Sequence, residues 1–310
     1  MSGLDAERRP AWARFLSDDE WREFAIALTG ELARRGTPYR IEDNVLWARW
    51  GGDDDEALGL VNLAQLCHAA APDSYAIVVA SHFDALVAGR GDRVEAGRLG
   101  SDLAAARPYL RLRLYPRDTF TEGADQFVLR ELADDLTGVL CYDLPSNVVT
   151  VTGDSLPRWG VSADELYYQA LANQRRTERT TIEDIEVGGA VVRAMTGESF
   201  FIASNLLLLG DFVPDEPPLG VLAAVPNRHT LVWHSIVDPS ALRAIDAMVV
   251  MAANLFTEGP GAISPNLYWW RDGALRTLPT RETDEHYEFV PPDDFVEEVL
   301  EVLAERAELN

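Results

Sequence analysis

An α+β fold, made of antiparallel hairpins packed with helices, is what this sequence predicts, and three observations predict it. Two-residue turn signatures at Asp43–Asn44, Gly188–Gly189 and Asp272–Gly273 separate short strand-like runs, the mark of tight hairpins. Capping boxes at Ser17/Glu20 and Ser162/Glu165 each open an amphipathic helix, because the hydroxyl and the carboxylate satisfy orphan amides of the first turn. Hairpins and helices recur with no solenoid period. The 310 residues, 47% apolar and 25% charged, suit one large domain or two ordinary ones with a sizeable core.

In chain order, the Ser17 helix carries Phe24, Ile26, Leu28 and Leu32 and stops at Gly36. Residues 39–42 and 45–50 then form a hairpin, 58–63 a third strand, and about 73–90 a helix after Pro72. Residues 91–107 lose apolar periodicity and gain Gly and charge, so a linker or a peripheral helix is expected there, with the domain boundary near Arg107. Leu110, Leu112 and Leu114 alternate with Arg111 and Arg113 as a strand with one basic face. A hairpin at 139–143 and 148–152, a helix from Ser162 to about Arg176, and strands at 181–187 and 190–195 follow. Residues 200–209 read as a buried helix, and 219–225 with 230–237 as another hairpin. Asp238–Pro239 starts a helix with a wide apolar face, and 267–270 with 274–278 close the unit. The expected division is 1–107, 108–290, and an acidic C-terminal helix over 291–310.

Within the second unit, ALANQRR (170–176), AAVPNRHTLV (223–232) and NLFTEG…ISPNLYWWRDG (254–273) resemble a bacterial family of YtpQ-like proteins. Asn173, Arg175, Val225–Pro226 and the Phe256-x-Glu258-Gly259 helix end carry the resemblance, which covers about residues 109–279. It implies a cytoplasmic bacterial protein, with no assigned reaction and no catalytic residues to transfer. His229 stands where such proteins often carry an acid, which puts any function of that acid in doubt for this chain.

The charge sum, 27 basic residues against 51 acidic, is −24. Such a field repels phosphate backbones and anionic membranes, so no nucleic-acid and no membrane partner is expected. Every basic residue is Arg, which suits either a GC-rich bacterial genome or a halophile and excludes Schiff-base and P-loop lysines. Residues 241–256 read as apolar but short of a membrane span, and the N-terminus lacks the apolar run of a signal peptide, so a cytoplasmic location is expected. Cys67 and Cys141 sit in apolar contexts without zinc spacing, as buried free thiols.

Candidate chemistry is sparse. Gly153–Leu156 spells GDSL, a serine-hydrolase signature, yet mid-chain and without a late Asp-x-x-His; Thr283 precedes His286 instead. His229 and His234 are five apart, so strand alternation sends them to opposite faces and no metal site is expected. His229, in a turn, is the catalytic candidate, with Glu198 or Asp238 as helpers. Cys67–His68 are adjacent and diverge. Asp53–Glu56 lacks calcium-loop spacing and reads as a solvated loop. Arg90-Gly91-Asp92 spells an adhesion tripeptide, out of place in a chain expected inside the cell. Arg111 and Arg113 either hold an anion or pair with surplus carboxylates. Nucleotide and metalloprotease motifs are missing, so no cofactor is expected. Trp233 and Tyr268-Trp269-Trp270 form an aromatic cluster beside Arg228 and Arg271, the composition of interface hot spots. The leading expectation is a non-catalytic adaptor that docks a protein or peptide on Trp233, Trp269, Arg228 and Arg271. An enzyme centred on His229 is the alternative, and an acidic decoy of a basic protein, using 53–56 and 282–301, the second.

Overall fold

The structure, a computed structural model, describes residues 4–49, 55–121, 123–177, 180–283 and 287–308. The fold is α+β, with helices packed on several antiparallel sheets. The chain divides into two compact units, Met1–Arg93 with Thr257–Pro260, and Val94–Phe256 with Gly261–Asn310. The boundary therefore falls at Arg93, not Arg107, and within a helix.

In the first unit, α1 (Asp18–Arg35) has the expected capping box and ends on Gly36 at φ 63°. β1 (Tyr39–Glu42) and β2 (Val45–Ala48) pair across Asp43, which adopts φ 53°, and β3 (Glu56–Gly59) adds to β2. The strand expected over 58–63 ends at Gly59. Leu60, Leu63, Ala64 and Cys67 repeat at helical spacing and bury that face, so the chain turns into α2 (Leu60–His68). α3 (Tyr75–Leu99) runs into the segment expected to be a linker or a peripheral helix, as one continuous helix. Gly91 and Gly97 each cost this helix about 1 kcal/mol. Arg90 and Arg93 bridging to Glu56, the Glu95–Arg98 pair and the fully buried Leu99 offset that cost. Trp21, Phe24 and Leu28 of α1 meet Leu46, Leu63, Tyr75 and Phe83 in one core.

In the second unit, α4 (Leu103–Ala106) precedes two larger sheets and a small two-stranded one. In the first, β4 (Leu110–Pro116), β5 (Leu129–Ala133) and β6 (Leu136–Asp143) run in the order β4-β6-β5, with β7 (Val148–Thr150) also on β6. α5 (Ser155–Trp159) is short. α6 (Ala163–Thr177) packs Leu166, Tyr167 and Ala170 on Leu110, Leu112, Leu140 and Tyr142.

The second sheet takes β8 (Ile182–Val187) and β9 (Ala190–Thr196). A 3-10 helix (Ala203–Leu208) and one turn, α7 (Leu209–Phe212), then stand where a regular helix was expected. There the Asn205 amide donates to the Ile202 carbonyl, a local bond that competes with the α-helical ladder. β10 (Val221–Ala224) and β11 (Thr230–Ser235) precede α8 (Ser240–Glu258), and β12 (Leu267–Arg271) and β13 (Ala274–Leu278) complete the order β13-β12-β10-β11-β9-β8. β14 (Thr280–Glu282) pairs with β15 (Tyr287–Phe289). The chain closes with α9 (Asp293–Phe295), a π turn (Val296–Leu300) and α10 (Glu301–Glu308). Phe295, Val299 and Leu303 recur every four residues and bury in the same core as α8, so this C-terminal helix belongs to the second unit instead of standing apart.

Two cores sandwich this sheet. On one face Val192, Leu222, Val232, Leu267 and Trp269 meet α8 and the C-terminal helix. On the other, Met195, Ala223, Leu231, Trp233 and Tyr268 meet the 3-10 helix, Leu114 and Leu136. Alternation along each strand assigns the faces.

Candidate functional site

α8 positions the site. The Asp238 carboxylate accepts from the Ser240 amide at 2.7 Å and starts the helix. Ala241, Ala244, Ile245, Met248 and Ala252 then bury against the sheet. Contrary to the sequence expectation, the 19 residues of α8 are long and apolar enough to cross a membrane by length and composition, with mean hydropathy 1.3. Only 44% of that apolar window is buried, so much of the helix lacks a covering. Val250, for example, is 58% exposed.

Where α8 passes β8, β9 and β11 the packing opens into a cavity of about 740 Å³. Ile185, Val187, Val232, Val250, Met251 and Leu255 give it apolar walls, with Thr196 and Thr230 between them. Small residues make the space: Ala194 and Ala247 carry short side chains, and Gly188 turns the β8–β9 hairpin at φ 58° directly against Ala247. A Cβ on Gly188 would stand 3.2 Å from that of Ala247. The size matches a ligand pocket, and the lining is mostly apolar, as such sites are.

Charge surrounds this groove asymmetrically. β8 is an edge strand whose Ile185 and Val187 face the cavity while Glu183, Asp184 and Glu186 stay exposed. Asp246, exposed on α8, adds to them. Arg193 approaches Asp184 at 3.6 Å, and Arg243 donates to the Gly189 carbonyl at 3.3 Å.

The residues proposed from sequence lie elsewhere. Trp233 is fully buried and Trp269 is 6% exposed, so neither presents an indole to a partner. Trp269 is held by the Leu219 carbonyl at 2.9 Å and by the edge of Phe295. The expectation of a docking surface on these two tryptophans is corrected: α7 and the C-terminal helix cover them from opposite sides. Arg271 is tied to Glu298 at 2.6 Å and lies over Trp269. Arg228 lies over the Phe200 ring and donates to His229.

His229 has neither ring nitrogen open. Its Nδ1–H donates to the Gly197 carbonyl at 3.0 Å, which leaves Nε2 to accept from Arg228 Nε at 2.9 Å. Burial, then the Arg228 charge, lower its pKa, so the ring stays neutral. With that lone pair engaged by the Arg228 guanidinium, Nε2 is not placed to accept a proton from a ligand in this arrangement. The suggested helpers are remote in role: Asp238 caps α8, and Glu198 is exposed. His234 donates to the Val191 carbonyl.

Ser155 of the GDSL stretch is buried, its hydroxyl 3.4 Å from Thr152 Oγ1, while Asp154 pairs with Arg158 along α5. His286, Asp53 and Asp54 lie outside the described residues. Asp55 is bonded to Arg40 and Arg49, and Glu56 to Arg90 and Arg93, which leaves Arg90 bound into an intramolecular pair. Burial pushes the Cys67 and Cys141 thiols up to about 12, and His68 bonds Glu20 instead of its neighbour. Arg111 is buried against the Leu110 carbonyl, 3.8 Å from Asp143. Among the described residues, no group of three or more His, Cys, Asp or Glu could hold a metal ion.

Sequence reasoning missed the groove. Its one legible signal is the wide apolar face of α8, which predicts a central helix packed on a sheet. Also missed was Asp135, whose carboxylate accepts from Ser264, Asn266, Tyr268 and Thr277 at 2.6–3.0 Å and so fastens the β5–β6 turn to β12 and β13. Compared with protein-family models, with curated proteins and with solved structures, the chain matches none.

Proposed function

We propose that the protein is a non-catalytic binding module that takes a basic, amphipathic peptide helix in the groove between α8 and β8–β9. The observation that carries this reading is an unfilled apolar groove with an acidic border. The apolar face of an amphipathic helix would set two or three side chains among Val187, Val250, Met251 and Leu255. Its basic face would meet Asp246 in the groove lining and Glu183, which shares the groove face of β8 with Ile185 and Val187. A net charge of −24 would speed the encounter and exclude acidic segments. Met251 suits such a surface because its flexible thioether adapts to different side chains. The reading takes over the resemblance of residues 109–279 to YtpQ-like bacterial proteins and, with it, a cytoplasmic setting. It replaces the tryptophan surface with the groove. The acidic-decoy reading loses ground, because part of the 282–301 acid is already paired, Glu298 to Arg271 and Asp294 to Arg276.

The test is fluorescence anisotropy with two labelled synthetic helices that share one Leu face, one with Lys and one with Glu on the polar face. The expected result is saturable binding of the Lys peptide, at least tenfold tighter than the Glu peptide and weakened at least tenfold by Val250→Trp, which fills the groove without changing charge. Binding of the Lys peptide that Val250→Trp leaves unchanged would reduce the effect to general electrostatics and overturn the proposal.

A further inference from the structure

We propose that the second unit also carries an oxyanion site, in which Arg113 of β4 and Arg228 of the β10–β11 turn hold a small phosphate-bearing dianion beside Phe200. The two guanidinium carbons lie 5.6 and 4.5 Å from the centroid of the Phe200 ring, and that of Arg113 lies 4.7 Å from Tyr115. In a chain with 51 acidic side chains, neither arginine has a carboxylate partner among the described residues. Arg113 Nε is buried with no hydrogen-bond acceptor. Other arginines on this unit are neutralised: Arg111 by Asp143, Arg130 by Asp164, Arg175 by Asp211, Arg271 by Glu298.

Two half-buried cations brought together without a counter-charge are costly. The strain is visible at Arg228, which burial first and the Arg113 charge second bring down to about 10. A bound dianion supplies the missing counter-charge, and a guanidinium fork matches phosphate oxygens and leaves no buried donor idle. The surroundings hold Arg228 ready. Neutral His229, locked by Gly197, accepts its Nε–H and so turns its terminal nitrogens outward from that bond. Gly261, at φ 73°, lets the side chain lie flat on the backbone; a Cβ there would stand 2.7 Å from Arg228 Cδ and 2.8 Å from its Nη1. Phe200 is 38% exposed, so the cluster opens to solvent.

Charge selects the ligand class. With His229 neutral, the cluster carries two positive charges, which a phosphate monoester, at about −1.5 to −2 near pH 7, neutralises and a monocarboxylate does not. The overall −24 excludes long polyanions and favours a small one. No residue of this cluster lines the α8 groove, so the two sites stand or fall separately.

The test is calorimetric titration with inorganic phosphate at constant ionic strength, beside acetate, on wild type, Arg113→Met and Arg228→Met. The expected result is a saturable wild-type isotherm in the millimolar range or tighter, at least tenfold weaker in either variant and with acetate. Urea unfolding without phosphate should show both variants at least as stable as wild type, since each loses an unpaired buried charge. Should a variant not fold, the Arg Nε–H signals of the wild-type protein give the same answer, with those of Arg113 and Arg228 moving on phosphate addition. A wild-type protein with no saturable signal, variants that titrate like wild type, or acetate equal to phosphate would each overturn the assignment.

Discussion

Trp233 and Trp269 occupy opposite faces of one sheet: Trp233 pairs with Ala223 and Trp269 with the adjacent Leu222 of β10. Each is the large anchor of a different core. Truncating either to Ala should cost about 3–5 kcal/mol in urea unfolding, with no effect on peptide affinity beyond that of lost fold. The Phe variants should separate them. Trp269 Nε1 donates to the Leu219 carbonyl, whereas Trp233 Nε1 is buried without an acceptor among the described residues. Trp269→Phe should therefore be the costlier by about 1 kcal/mol.

Gly220 supports the same indole. It adopts φ 79°, and a Cβ there would lie 2.6 Å from Trp269 Nε1 and 2.7 Å from the Trp270 carbonyl oxygen. Gly220→Ala combines backbone strain with two backbone or ring collisions. It should destabilise by about 2–4 kcal/mol, measured as a drop in the urea midpoint at unchanged slope.

Asp135 should behave as a fastener. Asp135→Ala leaves the hydroxyls of Ser264, Tyr268 and Thr277 and the amide of Asn266 without their acceptor. A loss of about 3 kcal/mol or more is expected, with Asn less harmful than Ala because it retains one accepting oxygen.

Acid should weaken the first unit through Glu31. The Arg34 fork at 2.7 Å, followed by Arg35 at 2.6 Å, outweighs burial and holds this carboxyl at about 2, against 4.5 unperturbed. The folded protein thus binds its proton later than the unfolded chain. Its contribution is complete above about pH 4.5 and is lost as pH falls toward 2. Glu31→Gln should flatten the stability-against-pH curve in that window and leave its slope above pH 5 unchanged.

Elements with strong local chemistry were legible in the sequence. Ser17, Gly36, Gly188–Gly189 and Asp272–Gly273 act through their own backbone, so their helix end and turns lie where expected. Elements fixed by tertiary packing were not. The extension of α3 beyond Gly91 depends on Glu56, more than thirty residues away, and β5 depends on pairing with β6. The site was hidden for the same reason. Periodicity shows that α8 is apolar on a wide face, but only the position of β8 decides how much of that face is covered. His229, a turn histidine, looks available until its two partners, Gly197 and Arg228, are in place.

The groove is tested most directly by methyl resonances of the methionines during titration with the Lys-faced helix. Met195 and Met248 are fully buried in the two cores, and Met251 lines the groove. Binding in the groove should move the Met251 methyl signal saturably and ahead of the other two. Saturation of the peptide with the Met251 signal unmoved would contradict the account.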